Sequence, residues 1–195
     1  MIHSSVSTLI KSVQQCTLCQ KELPFTANPV LQYHDKSKIL LAGQAPGVSA
    51  HMSSTPFDDQ SGKRLKQWLQ VTDQQLYNNK LFSILPMGFC YPGKSKSGDL
   101  PPIKRCANTW RAPLLATLTK CQFTILLGKY AANWHLSNSK SLTELCKQWP
   151  SLLDDNKIVL PHPSPRNIPW ITKNPWFEQD LLPALRTRLK TIINE

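Results

Sequence analysis

Acidic residues are scarce in this sequence. Twelve Asp and Glu stand against 23 Lys and Arg, a formal charge of +11 over 195 residues, with a pI near 9.5. That surplus disfavours basic partners and favours an anionic polymer, with nucleic acid the first choice. Long apolar runs are also missing. No stretch reaches the roughly 18 residues that a membrane span needs, so no membrane role is expected. The opening MIHSSVSTLIKSVQQC has neither the apolar stretch nor the cleavage site of a secretory leader, and a cytoplasmic protein is expected. Repeats, low-complexity tracts and long linkers are absent as well. One domain over residues 1–195, acting as a monomer, is therefore expected. Glycine is sparse at 7 residues, whereas proline reaches 16 and concentrates in loops, which predicts rigid ones. An apolar content of 41% excludes a largely disordered chain.

The positive charge is clustered. Between Cys90 and Tyr130 lie Lys94, Lys96, Lys104, Arg105, Arg111, Lys120 and Lys129 against the single acid Asp99, a net +6. Four short apolar runs, Lys38–Gly43, Leu81–Pro86, Phe123–Gly128 and Lys157–Pro161, read as strands of a parallel sheet covered on both faces. Helical patterns separate them at Ser61–Thr72, Ile103–Thr119 (with Pro113 inside), Lys129–Leu136 and Ser141–Gln148. Pro175–Ile193 closes the chain, interrupted by Pro183. The alternation predicts an α/β fold: a three-layer α/β/α sandwich on a central, mostly parallel four-stranded sheet, with right-handed crossovers.

Ligands of open α/β sheets bind beyond the carboxyl ends of the strands. Three of those ends carry the least ordinary residues here: Gly43-Gln44-Ala45-Pro46-Gly47, Pro86-Met87-Gly88-Phe89-Cys90 and His162-Pro163-Ser164-Pro165-Arg166-Asn167. Convergence of these loops would make a site. Among the histidines, His162 stands out because prolines flank it in a loop; His34 and His135 have no such setting. The cysteines are Cys16, Cys19, Cys90, Cys106, Cys121 and Cys146, and disulfides are not expected in a cytoplasmic protein.

Gly43–Gly62, GQAPGVSAHMSSTPFDDQSG, resembles the first motif of the iron–sulfur branch of the uracil-DNA glycosylase superfamily, and His162-Pro163-Ser164 resembles its second. The match runs from Cys16 to about Trp170. YPGK at Tyr91, GDLPP at Gly98 and NPWFE at Asn174 look like a poorly characterised bacterial subgroup. The resemblance implies a monofunctional DNA base-excision repair glycosylase. Its substrate would be DNA bearing uracil or another deaminated or damaged base, flipped out of the stack for hydrolysis of its N-glycosidic bond. Cys16, Cys19, Cys90 and Cys106 resemble the ligand set of that branch. They imply a [4Fe–4S] cluster, with zinc or no metal as alternatives; Cys121 and Cys146 read as core thiols.

The resemblance also distributes roles. Phe57 would stack on the base, unless it is an ordinary core ring at a strand–helix junction. Neutral His162 would donate a hydrogen bond to the departing base. Ala45, Pro86 and Gly88 would line the base site. Ser164, Arg166, Lys94 and Lys96 would face DNA phosphates, with Arg166 standing where relatives carry an apolar wedge. Departures from the motif matter. Gln44 and Ala45 replace both water-activating carboxylates known in the superfamily, which leaves Gln44 to orient water and Asp58 as the nearest substitute, with helix capping an equal reading of the Asp58–Asp59 pair. Pro86 stands where relatives carry an amide, so edge recognition would shift to backbone groups of Pro86–Gly88. The loop Tyr91–Arg105 has no histidine for covalent capture. A DNA-binding member that has lost turnover is the main alternative, and a zinc-stabilised RNA-binding domain a third.

Overall fold

The computed structural model describes residues 2–96, 98–137 and 140–194, with side chains from residue 6 onward. The strands are β1 (Ile39–Ala42), β2 (Phe82–Ile84), β3 (Lys94–Ser95), β4 (Gly98–Asp99), β5 (Phe123–Leu127) and β6 (Lys157–Leu160). Four of them make one sheet in the order β2-β1-β5-β6, with every pairing parallel. Each falls inside one of the four apolar runs. The small β3–β4 hairpin is antiparallel and lies within what reads from sequence as the loop Tyr91–Arg105.

Ten α-helices surround these strands among the described residues. The first five are α1 (Ile2–Gln14), α2 (Val48–Ser53), α3 (Gln60–Leu69), α4 (Asp73–Leu76) and α5 (Lys104–Ala116). The rest are α6 (Lys129–Leu136), α7 (Leu142–Lys147), α8 (Trp149–Asp154), α9 (Ile168–Lys173) and α10 (Leu182–Asn194). Side-chain alternation along the strands sorts them into layers. Ile39 and Leu41 of β1, with Ile125 and Ile158, pack under Leu65 and Trp68 of α3 and Leu185 and Leu189 of α10. Ala42, Leu126 and Val159 face the other way, onto Ala131, Ala132 and Cys146; Leu40 joins Val13 of α1 and Leu114 of α5. The result is the α/β/α sandwich expected. No helix among the described residues is long and apolar enough to cross a membrane.

Pro183 does not break the last helix. A single π turn, Phe177–Leu181, leads into α10, and Pro183 falls in the first turn, where its missing N–H is no loss. The edge of β2 is covered by Gln32, which exchanges backbone hydrogen bonds with Ile84 and so removes one ladder open to further pairing. At the carboxyl ends, Met87 N–H donates to Gly43 O and Gly88 N–H to Gln44 O, at 2.9 and 3.0 Å. The loops that follow β1 and β2 are thereby stitched side by side.

Candidate active site

Beyond the carboxyl ends of the sheet opens a cavity of about 410 Å³. Gln44 and Ala45 line it from the β1 loop, Pro86 from the β2 loop, and His162, Ser164, Arg166 and Asn167 from the β6 loop. The hairpin contributes Lys94, Gly98 and Asp99 from the side, and the turn before α3 adds Phe57 and Asp59.

Phe57 is held in an unusual backbone state. Its φ of +58° lies in the left-handed region, costly for an aromatic residue and characteristic of functional turns. The state is locked from two sides. A Cβ on Gly62 would stand 1.8 Å from the Phe57 carbonyl oxygen, and one on Gly43 would stand 3.5 Å from the tip of its ring. Gly62 therefore gives the Phe57 backbone room, whereas a side chain at Gly43 would meet the ring at ordinary contact distance. Asp59 completes the turn by capping α3, its Oδ1 accepting from Gly62 N–H at 2.9 Å.

His162 is half-buried, and its carbonyl accepts from Asn167 Nδ2 at 2.7 Å, which fixes the loop behind the ring. Burial pushes the imidazole pKa below its ordinary value, with Asp59 and Asp99 pulling part of the way back. The ring is therefore neutral at pH 7. Those two carboxylates both border Gly47. The Oδ2 atoms of Asp59 and Asp99 each stand 3.7 Å from where a Cβ on Gly47 would be. Gln44 spends its Nε2 on Leu100 O at 3.0 Å, tying the β1 loop to the residue after the hairpin.

A family model described as the uracil DNA glycosylase superfamily matches residues 31–186. The chain belongs to that superfamily. Its membership explains why the two loops with matching motifs, far apart in sequence, share one cavity.

The four cysteines of the expected ligand set also converge. Cys16, Cys19, Cys90 and Cys106 all line a second, smaller cavity beside Gly88, Phe89 and Trp110. Three accept hydrogen bonds at sulfur: Trp110 Nε1–H donates to Cys16 Sγ at 3.2 Å, Phe89 N–H to Cys106 Sγ at 3.3 Å, and the Asn28 backbone to Cys90. Burial pushes Cys90 up to about 11 and Cys106 up to about 12, and it raises Cys19 with help from Glu22. Among the described residues, no three His, Cys, Asp or Glu side chains form a group able to hold a metal ion. The donor chemistry nonetheless fits a four-thiolate centre, and loading it would displace protons from these thiols. Cys146 is buried in the core and Cys121 half-buried, all six being free thiols.

Several expectations need correction. Asp58 is exposed and does not line the cavity; its neighbour Asp59 does, because the left-handed turn at Phe57 redirects the chain. Gly88 lines the cysteine cavity and not the one at the sheet's carboxyl edge. Lys96 is exposed in the hairpin turn, outside the lining, while Lys94 is within it. The Met87 and Gly88 amides are spent on Gly43 and Gln44, so backbone reading by Pro86–Gly88 has no free N–H to donate.

Arg111 is no part of a basic face. It is 1% exposed, and its Nη1 donates to Leu85 O at 3.0 Å and Pro86 O at 3.2 Å, while Nε donates to His135 Nε2 at 3.1 Å. Its guanidinium also lies 5.2 Å from the Trp134 ring centroid. Burial, then Arg111 and Lys157, pushes His135 down to about 3, so it stays a neutral acceptor. Arg111, lowered by burial to about 10, stays charged at pH 7. It anchors the β2 loop from beneath. Spacing held the signal for this, because Arg111 lies on the helical face of Leu114 and Leu118, three and seven residues on. Asp99 and Asn167 had no comparable signal.

Proposed function

We propose that the protein is a monofunctional DNA glycosylase that hydrolyses the N-glycosidic bond of uracil or another deaminated or damaged base. The observation that carries the reading is the meeting of Phe57 and neutral His162 in one cavity at the sheet's carboxyl edge. An everted base stacks on Phe57, and its glycosidic bond breaks with the electron pair leaving on the base. His162 N–H donates to the base oxygen as that charge grows, an interaction stronger in the transition state than in the ground state. Water then bonds to the anomeric carbon and passes a proton to a carboxylate of the lining, Asp59 or Asp99. Asp59 and Asp99 are the carboxylates in the lining, and they stand in for the one absent at Gln44 and Ala45. Ser164, Arg166 and Lys94 meet the flanking phosphates.

Cys16, Cys19, Cys90 and Cys106 would hold the [4Fe–4S] cluster, whose contribution when bound is to brace the β2 loop and not to react. The protein works on DNA as a one-domain monomer in the cytoplasm. Release of free base from single- and double-stranded oligonucleotides carrying uracil or hypoxanthine is the test. Wild type should release base and His162→Ala should not; failure of wild type at high enzyme excess on both lesions would remove the enzymatic reading for them.

A further inference from the structure

A ring outside the cavity has one open face. Phe25 is 40% exposed, and it stacks on His51 at 5.2 Å and 26° and on Tyr91 at 6.0 Å and 23°. Were Phe25 sandwiched between these rings, they would lie roughly 11 Å apart, the two separations end to end. They are 6.3 Å apart. Both rings therefore back the same face of Phe25, and the exposure belongs to the other.

The backing is rigid. His51 is 9% exposed, Tyr91 is 6% exposed, and Nδ1 of His51 is buried without a hydrogen-bond partner. Around Phe25 the backbone is pinned. Gln20 Nε2 donates to the Phe25 carbonyl at 3.2 Å, Ala27 N–H donates back to Gln20 Oε1 at 2.6 Å, and Asn28 Nδ2 holds His51 O at 2.7 Å. A planar aromatic face already fixed loses little entropy on capturing a partner.

Its neighbourhood is continuous with the cavity. The helix that carries His51 also supplies Ala50 to the cavity lining. Gly93, at the foot of the hairpin, packs on Pro24 and Leu100, and Leu100 O is the acceptor of Gln44. Lys94 and Lys96 follow within that hairpin, and Lys94, paired there with Asp99, lines the cavity.

We propose that the open face of Phe25 is a stacking platform for an unpaired nucleobase of the strand whose damaged base enters the cavity. The inference rests on the glycosylase reading and deepens it, because the platform needs a neighbouring base free of its complement. Single-stranded or locally melted DNA is then the preferred substrate class. Stacking on one aromatic ring makes about a 5- to 150-fold difference in affinity by alanine substitution.

The experiment measures binding of oligonucleotides, single-stranded and duplex, that carry one non-cleavable abasic analogue with 2-aminopurine placed at successive positions beside it. Phe25→Ala should weaken single-strand binding at least about fivefold and abolish quenching at one position, while duplex affinity changes little. Phe25→Trp should restore both, and thermal unfolding should report that each variant is folded. Equal loss on both substrates, or none on either, overturns the platform, as does a concentration-dependent dimer that Phe25→Asp dissociates. If wild type releases base while Phe25 is silent, the platform alone falls; if wild type neither binds DNA nor releases base, the glycosylase reading falls with it.

Discussion

Gly62→Ala is the sharpest probe of how the first motif works. One methyl group is added at the third residue of α3, in its first turn, where the new Cβ would stand 1.8 Å from the Phe57 carbonyl oxygen. Contacts of real Cβ atoms stay above 3.0 Å, so about 1.2 Å of displacement must be found. The obstacle is backbone and cannot swing aside. Alanine in a helix is worth about 1 kcal/mol over glycine, whereas overpacking costs about 1–3 kcal/mol. The net expectation is a loss of about 0–2 kcal/mol, which leaves the protein folded. Function should suffer far more. The displaced unit is Phe57, and a shift of about 1 Å at a reacting centre is worth about 100-fold in rate. Urea unfolding and single-turnover base release, run on the same preparation, separate the two effects. A variant stabilised by the full helix propensity gain, with base release unchanged, would refute the interlock of Gly62 with Phe57.

Three further outcomes are expected. Arg111→Met leaves the Leu85 and Pro86 carbonyls and His135 without their donor and should cost about 2–4 kcal/mol in urea unfolding, with Arg111→Lys intermediate. His135, held near 3 when folded, refuses a proton that the unfolded chain accepts below pH 6.5; stability is therefore full above that pH and falls as pH drops toward 3. Between pH 6.5 and 5 this amounts to about 2 kcal/mol, and His135→Gln should flatten that part of the pH–stability curve. For the cysteines, anaerobic purification should give a brown protein with iron and sulfide in equal amounts, and Cys106→Ala should lose both; a colourless, iron-free preparation would remove the cluster.

Much of the fold was legible because burial on both faces of a parallel sheet leaves a plain trace, the four apolar runs. The Lys129–Leu136 helix appears with the expected bounds, and Ile103–Thr119 loses only its ends despite Pro113. Site residues were legible where motif spacing carried them: Gln44, Ala45, Phe57, Pro86, Lys94, His162, Ser164 and Arg166 share one cavity. What escaped depended on backbone direction or on tertiary pairing. Asp58 and Asp59 are chemically alike, and only the positive φ at Phe57 decides which of them faces inward. Arg111 was counted as surface charge because charge is usually solvated, yet two carbonyls and a neutral imidazole satisfy it inside. The hairpin was hidden because its two short strands carry polar and glycine residues with no apolar alternation.

Pro86 gives the cavity lining a stretch of contour with no hydrogen-bonding side chain. Pro86 brings no side-chain donor, its carbonyl is engaged by Arg111, and the amides on either side of the following bond are already committed. An entering heterocycle is met there by contour, and contour separates close analogues by only about 10- to 200-fold. Under the proposed reaction such a floor would select tolerance of several small altered rings of one width over allegiance to a single lesion.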